Sequence, residues 1–583
     1  YHAQPIACPV CGPKVSLHEA TTGKRLRGGV PEAAALIRRG KILAVKGIGG
    51  FHLMCDARNV RTVRRLRKIK SRRFKPLALM ASGLETVEEY AEAGPAEKEA
   101  LLSVHRPIVL LRKKKDIPEI APHLDEMGFM LPYAPLHALL MKDVDLVVAT
   151  SSNSKDAPIM KDAGEGIKDL CDYVLTHNRP IHMRADDSVL KIAGNRPLFG
   201  RRARGFVPYP QRVPEELKCR KSVLALGGEL KDTISIYKNG YIVTSQFLGD
   251  LDEYRNMQYF KETLSHLLHL FDVKPDVVVT DLHPRFLTTR HAAGLGIPHL
   301  RVQHHFAHVL APLLEHQAPP GRKVLGIALD GFGYGEDGTA WGGEFLSADY
   351  ESCTRFAHFK SVPLPGGDLA SRQPWRMAAA YLNDVFGKRF PDVEAMRQVP
   401  AEKLLAVRRM IETGRNSPLT SSCGRLFDAV SFLMGIAPLE MEFEAEAAMR
   451  LESLATEPAR TGYGYSILGD RPPFIISFAP LIRGLLDDLR KGTSIPRLAS
   501  KFHDTLAGLI VDVSGKARRL EGTDTVVLAG GVFLNKRLLE EASRRLEKER
   551  FRVLRPVNYS PNDESLSVGQ TAFALARLRR KGL

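Results

Sequence analysis

The chain has 583 residues, of which 44% are hydrophobic and 26% charged, with a formal net charge of +18 at pH 7. This composition is typical of globular proteins, and the length exceeds what one hydrophobic core supports. The sequence contains no run of about 18 apolar residues and no secretion-signal pattern at its start, so a membrane-spanning helix is excluded. We expect a cytoplasmic protein of several domains that does not bind a membrane.

A cysteine pair lies near the start of the chain. Cys8 and Cys11 have the spacing of half a zinc site, but the other five cysteines are dispersed and form no second pair. We therefore expect residues 1–20 to be the remnant of a zinc-finger module, binding Zn²⁺ only if the finger were complete. A free dithiol without function fits the pattern equally well.

Positive charge is concentrated in the first part of the chain. Residues 1–221 contain 39 Lys and Arg against 24 Asp and Glu, a net charge of +15, so the other 362 residues carry only +3. Anion binding is therefore expected in the first part.

Short apolar segments alternate with amphipathic ones over residues 21–206, which predicts an α/β domain. The proline-rich residues 207–221 predict a linker. Within residues 222–583, apolar strands at 223–226, 324–329 and 526–529 each lead into a glycine-rich or acidic turn. This recurrence favours a duplicated α/β fold that closes around a nucleotide.

The front domain contains a strongly basic segment, with ten Lys or Arg between residues 58 and 75. Such a run is often only a solvated helix face. Pro76 and the following apolar strand should, however, end the helix and hold Lys70, Arg72 and Lys75 in a loop, where they could bind phosphate. Further candidate anion ligands are the turn residues Thr150, Ser151 and Asn153 and the cations Arg202 and Arg204. A plain turn after a strand explains Thr150, Ser151 and Asn153 equally well.

A histidine pair opens an apolar helix in the rear domain. His304 and His308 are four residues apart and share one helix face, a spacing that suits one metal ion but also occurs by chance. Asp330 follows an apolar strand into a glycine-rich turn, and Asp563 begins an acidic loop before the last helix. These four residues are the predicted metal ligands, although a glycine-rich hairpin and a helix N-cap are open alternatives for the aspartates.

The front domain resembles YrdC/Sua5-type acyl-adenylate-forming domains, and more closely the version found in the HypF family of hydrogenase-maturation carbamoyltransferases. The motifs that carry this resemblance are Val45-Lys-Gly-Ile-Gly-Gly-Phe-His52, Lys70-x-Arg72-x-x-Lys75-Pro76, Thr150-Ser-Ser-Asn153 and Arg202-x-Arg204-Gly205. Ser152 is a departure, because Gly or Ala is usual there. The resemblance implies that this domain makes carbamoyl-adenylate from ATP, bound with Mg²⁺.

The rear domain resembles the Kae1-like domain of the same family, a fold of the actin/Hsp70-like (ASKHA) class. The motifs include Leu226-Gly-Gly-Glu-Leu-Lys231, Asp281-Leu-His-Pro284, Leu364-Pro-Gly-Gly-Asp368, Gly424-Arg-Leu-Phe-Asp428 and Gly530-Gly-Val-Phe-Leu-Asn535. Glu446 is a departure, because glutamine is usual there. The resemblance implies that the following residues contact nucleotide: Gly228, Gly331, Gly424, Asp428, Gly530, Gly531 and Asn535.

The resemblance further implies two-step carbamoyl transfer from carbamoyl phosphate or carbamate to the C-terminal cysteine of a HypE-like protein. The implied catalytic residues are Lys70, Arg72, His304 and His308, with one Fe²⁺ or Zn²⁺ in the rear domain, while the amides of the glycine turns stabilise developing charge. The family's acylphosphatase-like domain is absent from this sequence. Alternatives are threonylcarbamoyl transfer to tRNA, which the domain arrangement disfavours, a small-molecule O-carbamoyltransferase, and a non-catalytic nucleotide-binding module.

Overall fold

The computed structural model describes residues 10, 12–153, 157–164, 166–459 and 461–580. Cys8 and Cys11, the predicted half of a zinc site, lie outside the described residues. Contacts divide the chain into two compact units. The front unit comprises residues 1–209, 230–232 and 245–271, and the rear unit comprises residues 210–229, 233–244 and 272–583.

This division differs from the sequence-based domain limits. Residues 230–232 and 245–271, which were expected in the rear domain, belong to the front unit. Part of the predicted linker belongs to the rear unit, where Gln211–Arg212 pairs antiparallel with a neighbouring strand. The limits at 206 and 222 stay predictions.

The front unit is an α/β domain with one mixed sheet. Its strands are β1 (Val15–Glu19), β2 (Arg25–Leu26), β3 (Leu43–Lys46), β4 (Phe51–Asp56), β5 (Leu79–Ala81), β6 (Ile108–Arg112), β7 (Glu126–Met130), β8 (Leu146–Ser151), β9 (Tyr173–His177), β10 (Val189–Ala193) and β11 (Arg196–Arg201). Its helices are α1 (Gly29–Arg38), α2 (Val60–Ile69), α3 (Leu84–Tyr90), α4 (Pro95–Leu102), α5 (Pro135–Leu140) and α6 (Tyr254–Leu270). The strand order is β11-β10-β6-β7-β5-β8-β4-β3-β9-β1-β2, which places β4 and β8 side by side near the centre.

Helix α2 confirms the prediction of a basic helix that ends in a loop. Its N-cap is Asn59, whose side chain accepts a hydrogen bond from the Thr62 amide. Val63 and Leu66 are buried against the unit, while most of the cations face outward. The helix ends at Ile69, so Lys70, Arg72 and Lys75 follow it in a loop before β5.

The rear unit contains strands that form two sheets, together with helices. Its strands are β12 (Gln211–Arg212), β13 (Val223–Ala225), β14 (Ser235–Lys238), β15 (Tyr241–Thr244), β16 (Val277–Asp281), β17 (His299–Val302), β18 (Val324–Tyr334), β19 (Ala340–Ala348), β20 (Cys353–Phe359), β21 (Val362–Pro363), β22 (Leu419–Thr420), β23 (Ser466–Leu468), β24 (Phe474–Ser477), β25 (Thr525–Ala529) and β26 (Arg552–Leu554). Its helices are α7 (Leu287–Ala293), α8 (His304–Glu315), α9 (Leu369–Arg372), α10 (Pro374–Phe386), α11 (Ala401–Thr413), α12 (Cys423–Leu433), α13 (Glu446–Leu454), α14 (Ala479–Arg490), α15 (Ile495–Glu521), α16 (Lys536–Lys548) and α17 (Leu566–Arg580).

The two sheets of the rear unit repeat one strand pattern. In the first, β13, β14 and β15 form an antiparallel meander, and β16 and β17 add in parallel on the other side of β13. In the second, β18, β19 and β20 form the meander, and β25 and β26 add in parallel beside β18. This repeat confirms the predicted duplicated α/β fold of the actin/Hsp70-like class.

Helices α8 and α17 follow β17 and β26, the last strands of the two repeats, and they pack against each other. Every residue of α8 is buried, which explains why its sequence is apolar on nearly all sides. The helix includes Pro312, which lies in its last turn. Both helices therefore present their first residues at the centre of the unit.

Candidate active sites

The rear unit brings the four predicted metal ligands together. The ligand atoms of His304, His308, Asp330 and Asp563 all lie within 4.8 Å of one another, and no other such group occurs among the described residues. The His308 Nε2 atom is 3.1 Å from Asp330 Oδ2 and 3.4 Å from Asp563 Oδ1. The His304 Nε2 atom is 3.4 Å and 3.8 Å from the same two oxygens.

The duplicated topology explains this convergence. His304 and His308 occupy the first turns of α8, and Asp563 begins the short 3-10 helix that leads into α17. Asp330 lies on β18, where the pairing with β19 is interrupted after Leu329. Residues that are far apart in sequence thus lie close together, because the two repeats place equivalent helices side by side.

Backbone amides fix the orientation of Asp330. Its Oδ1 atom accepts hydrogen bonds from the amides of Gly331 at 2.7 Å and Gly531 at 3.3 Å, which leaves Oδ2 directed toward the histidines. The glycine-turn amides were expected to stabilise charge on the substrate. The structure contradicts this for Gly331 and Gly531, because both amides are used to hold the carboxylate.

Asp281, at the end of β16, fixes the ring of His304. The His304 Nδ1–H group donates to Asp281 Oδ2 at 2.8 Å, and both side chains are buried. Burial alone would lower the pKa of His304, but the carboxylates of Asp281, Asp330 and Asp563 outweigh it and raise this pKa well above its ordinary value. The motif Asp281-Leu-His-Pro284 did not reveal this role of Asp281 from sequence.

The donor set fits a divalent metal ion. The Nε2 atoms of His304 and His308 and the Asp330 Oδ2 atom are buried and have no hydrogen-bond partner in the part of the chain that the structure describes. Two imidazoles and two carboxylates suit zinc and iron(II) equally. The hydrogen bond from His304 to Asp281 is the outer contact that commonly orients a metal-bound histidine. These residues can therefore hold one ion.

His305 lies beside the cluster and outside the ligand set. Its Nδ1 atom is 3.2 Å from Gln303 Nε2. A Cβ atom added to Gly333 would lie 2.4 Å from the His305 ring and 2.6 Å from the His304 ring. Only glycine therefore fits at position 333, because any side chain would displace the imidazoles.

Three further glycines of the rear unit, Gly228, Gly424 and Gly530, are predicted nucleotide contacts. Gly424, at the start of α12, lies so close to Gly331 that an added Cβ would be 3.0 Å from its Cα. The carbonyl of Gly228 accepts the Thr288 hydroxyl at 2.6 Å. Gly530 has a φ of 97°, which disfavours other residues there. Their contact with nucleotide stays a prediction.

Three polar side chains of the rear unit are engaged within the fold. The buried Asp428 accepts from Arg425 Nε at 2.6 Å. The Asn535 side chain caps α16 through the Leu538 amide and lies 2.9 Å from His503 Nε2. Glu446, the departure from the family motif, is buried and paired with Arg450. The predicted nucleotide roles of Asp428 and Asn535 stay untested beside these structural contacts.

In the front unit, Lys70 is joined to the predicted anion-binding turn. Its ammonium group donates to the carbonyl oxygens of Ser151 and Asn153 and to Asn153 Oδ1, the last at 2.7 Å. Burial, together with the nearby Arg72 and Lys75, lowers the pKa of Lys70 well below its ordinary value. All three ammonium hydrogens therefore serve to fix the turn, while the charge itself is poorly solvated. Thr150 is buried at the end of β8 in the same segment.

Arg67 fixes the basic loop, a role that the sequence did not reveal. Its NH1 group donates to the carbonyl oxygens of Arg72 and Lys75, both at 3.0 Å. Its Nε atom donates to the Glu119 carbonyl at 2.7 Å, and the side chain is buried. One buried guanidinium thus holds the loop in a single shape.

Arg202 and Arg204 are both buried. The Arg204 guanidinium donates to Asp187 Oδ1 at 2.8 Å and to the carbonyls of His105 and Arg106. Its central carbon lies 3.5 Å from the centre of the Tyr133 ring. Arg204 therefore has extensive structural contacts, and its predicted contact with nucleotide stays a prediction.

Among the described residues, no helix is both long and apolar enough to cross a membrane.

Comparison with known proteins covers nearly the whole chain. Residues 1–18 match the HypF finger family, residues 35–203 the Sua5/YciO/YrdC family described as telomere recombination, and residues 218–315 the HypF Kae1-like domain. Residues 326–570 match the second subdomain of the carbamoyltransferase Kae1-like domain.

Individual relatives agree with these matches. The carbamoyltransferase HypF of Rhodobacter capsulatus is 39% identical over 99% of this chain and 77% of its own length. The crystal structure of a full-length HypF in a phosphate- and nucleotide-bound form has a TM-score of 0.94 at 38% identity, covering 99% of this chain and 76% of that one. The Thermococcus structure described as T. kodakarensis HypF has a TM-score of 0.90 at 34% identity, covering 100% and 78%.

A YrdC-like unit joined to a Kae1-like unit with a buried His and Asp cluster defines a carbamoyltransferase. The chain belongs to the HypF carbamoyltransferase family, whose members act in hydrogenase maturation.

Proposed function

We propose that this chain activates carbamate with ATP in the front unit and transfers the carbamoyl group in the rear unit. The acceptor in this proposal is the C-terminal cysteine of a HypE-like protein, and the product leads to the cyanide ligand of nickel-iron hydrogenase. The observation that carries the proposal is that one chain contains both a cation-lined turn, in the front unit, and a His and Asp cluster, in the rear unit.

The front reaction is adenylation. A carbamate oxygen attacks the α-phosphorus of ATP, the bond between the α-phosphorus and its bridging oxygen breaks, and pyrophosphate leaves with the Mg²⁺ that accompanies ATP. Arg72 and Lys75 follow Lys70 on the loop that Arg67 fixes, and they are the residues we assign to the phosphates. Lys70 holds the turn of Ser151 and Asn153 and contributes a poorly solvated positive charge, which favours a bound anion.

The rear reaction is acyl transfer. The acceptor thiolate attacks the carbamoyl carbon, the bond to the adenylate oxygen breaks, and AMP leaves. His304, His308, Asp330 and Asp563 would hold one Fe²⁺ or Zn²⁺, which when bound supplies Lewis-acid stabilisation of negative charge on the substrate. Asp281 keeps the proton of His304 on Nδ1, so that Nε2 presents its lone pair to the cluster.

None of the five cysteines that the structure describes suits a nucleophile role. Cys55 and Cys423 are fully buried, and burial raises the pKa of Cys55 to about 12. Burial also raises the pKa of Cys171 and of Cys353 to about 12, and it raises the pKa of Cys219. A thiolate is the reactive form of cysteine, so these groups are inert at neutral pH. Direct transfer to the acceptor thiol is therefore the simpler chemistry.

The test uses ¹⁴C-labelled carbamate, formed by mixing ammonium with labelled bicarbonate, together with ATP. A peptide that ends in cysteine and a bulk tRNA preparation are offered as alternative acceptors. We expect pyrophosphate release and label on the cysteine peptide, with none on the same peptide ending in serine. Label on tRNA would favour the threonylcarbamoyl-type alternative, and nucleotide binding without any turnover would favour the non-catalytic alternative.

A further inference from the structure

A buried polar cluster in the front unit has no part in the chemistry described so far. It consists of His52 on β4, Tyr133, His137 on α5, Asp187 and Arg204. His52 is 3% exposed and His137 is 0% exposed, so water does not reach either ring freely. Buried polar groups are costly unless they are paired, so such a cluster calls for an explanation.

Asp187 fixes the tautomer of His52. The His52 Nε2 atom lies 2.7 Å from Asp187 Oδ2, and Arg204 Nε donates to the other carboxylate oxygen. Burial would raise the pKa of Asp187, but His52 and Arg204 lower it below its ordinary range, so the carboxylate is ionised and accepts. His52 Nε2 therefore donates to this carboxylate, and the His52 Nδ1 atom is hydrogen-bonded to the Tyr133 hydroxyl at 3.5 Å.

His137 contributes a second neutral imidazole. Its ring lies edge-on to Tyr133 at 4.6 Å between centroids and is 6.0 Å from His52. Burial and, next, His52 lower the pKa of His137 to about 3. Within the described ranges of the chain, neither of its ring nitrogens has a hydrogen-bond partner. The ring therefore offers one acceptor and one donor to a ligand.

The sheet places this cluster beside the predicted nucleotide site. His52 pairs with Ser151 across β4 and β8, so their side chains lie on the same sheet face. Ser151 belongs to the turn that Lys70 holds. On the preceding hairpin, Gly47 has no side chain, and an added Cβ would lie 2.9 Å from the Tyr133 hydroxyl and 3.5 Å from His52 Nδ1. Glycine thus lets the backbone of this hairpin pass directly beside both polar atoms.

We propose that His52, Tyr133 and His137 form the subsite for the carbamoyl moiety of carbamate, with a ring nitrogen of His137 accepting from its NH₂ group. The Tyr133 hydroxyl and the remaining N–H of His137 complete the set of hydrogen-bonding groups. The inference rests on the proposed adenylation of carbamate in the front unit.

This arrangement predicts selectivity by hydrogen bonding. Acetate has nearly the shape of carbamate but a methyl group in place of NH₂, so it would leave the buried acceptor of His137 unpaired. A site that binds an NH₂ group rejects an analogue without it far more strongly than an apolar site does. Carbamate should therefore be used in preference to acetate.

The experiment measures pyrophosphate release by the full chain with carbamate, acetate or bicarbonate as the carboxylate. His137→Phe keeps the ring volume but removes both nitrogens, and Tyr133→Phe removes only the hydroxyl. We expect His137→Phe to raise the KM for carbamate by about 10-fold or more and to remove most of the preference over acetate, with KM for ATP unchanged within about 3-fold. Tyr133→Phe should show a smaller shift of the same kind. His177→Phe, a change at another histidine of the front unit, is the matched control. It should leave the KM for carbamate and the preference for carbamate over acetate unaltered.

The outcomes distinguish a failure of the proposed function from a failure of the carbamate subsite alone. Absence of carbamate-dependent pyrophosphate release in the unmodified chain would overturn the proposed function and this subsite with it. Release in the unmodified chain with an unchanged carbamate-to-acetate ratio in the variants would overturn the subsite alone. If His137→Phe no longer binds ATP, the ratio measured for Tyr133→Phe and for His52→Gln decides the matter.

Discussion

The front and rear sites bury charge of opposite sign. In the front unit the buried ammonium of Lys70 is satisfied by carbonyl and amide oxygens, with Arg72 and Lys75 close by. In the rear unit the carboxylates of Asp330 and Asp563 raise the pKa of His304 and His308, so these groups attract a cation, either a proton or a metal ion. A buried group without a full counter-charge favours a ligand that supplies it. The front site is therefore suited to phosphate and the rear site to a metal cation.

The largest expected effect concerns the front site. Lys70→Met removes the buried charge and the three hydrogen bonds that hold the turn of Ser151 and Asn153. We expect carbamate-dependent pyrophosphate release to fall by roughly 1000-fold, because a preorganised charged donor is worth several kcal/mol in such a site. Metal content, measured by atomic emission, should not change. An exposed change on the same loop, Arg73→Met, is the control, and equal loss in both variants would contradict a specific role for Lys70.

The next test concerns the helix packing that builds the rear site. A Cβ at Gly569 of α17 would lie 1.9 Å from the Ala307 carbonyl of α8, so the two helices must separate to admit it. Gly569→Ala should lower the free energy of unfolding of the rear unit by about 3 kcal/mol and weaken metal binding. Both tryptophans, Trp341 and Trp375, lie in the rear unit, so tryptophan fluorescence follows its unfolding in urea.

Gly515→Ala is the matched control for that measurement. Gly515 lies in α15, where an added Cβ would meet only the Arg519 side chain at 3.6 Å. Alanine favours the helix over glycine by about 1 kcal/mol, so stability should stay equal or rise. Equal destabilisation by both substitutions would show that the contact between α8 and α17 is not the cause.

A smaller effect is expected from the residue that orients His304. Asp281→Asn preserves the shape of the side chain but replaces the carboxylate that accepts from Nδ1. Loss of such an outer contact typically lowers metal affinity by about 10- to 100-fold. Competition with a chelator measures the affinity, and the exposed Asp470→Asn serves as control. Unchanged affinity would mean that Asp281 does not set the orientation of the ring.

The smallest expected effect is a pH dependence of the front unit. The pKa of His137 is about 3 in the folded protein and near 6.5 when unfolded, so the unfolded chain binds more protons between these values. The free energy of unfolding of the front unit therefore has its full value above pH 6.5 and decreases as the pH falls. The decrease due to His137 is about 2 kcal/mol at pH 5. Hydrogen exchange of front-unit peptides measures this loss, which His137→Phe should reduce. An identical loss in that variant would contradict the assignment.

Local sequence patterns predicted much of this structure. The spacing of His304 and His308 defined a helix face, Asp330 stood at the end of an apolar strand, and Asp563 stood in an acidic loop before the last helix, so these positions were visible in sequence. The structure brings all four together. The basic run likewise ended where Pro76 indicated.

Contacts that depend on tertiary structure were not visible. Asp281 meets His304, and Asp187 meets His52, across distances in sequence that no periodicity reports. The same reason explains the incorrect expectation for the glycine-turn amides. A glycine after a strand indicates close backbone approach, but the partner of the Gly531 amide, Asp330, is known only once β18 and β25 are paired.

The central claim is that the two sites divide the reaction between them, and His308→Ala tests it most directly. In one reaction with labelled carbamate, ATP and the cysteine peptide, pyrophosphate release and carbamoyl transfer are measured together, with His316→Ala at the other end of the same helix as control. We predict that His308→Ala retains pyrophosphate release within about 3-fold and loses transfer by about 100-fold or more, whereas His316→Ala retains both. Undiminished transfer in His308→Ala, or equal loss of both activities, would contradict the account.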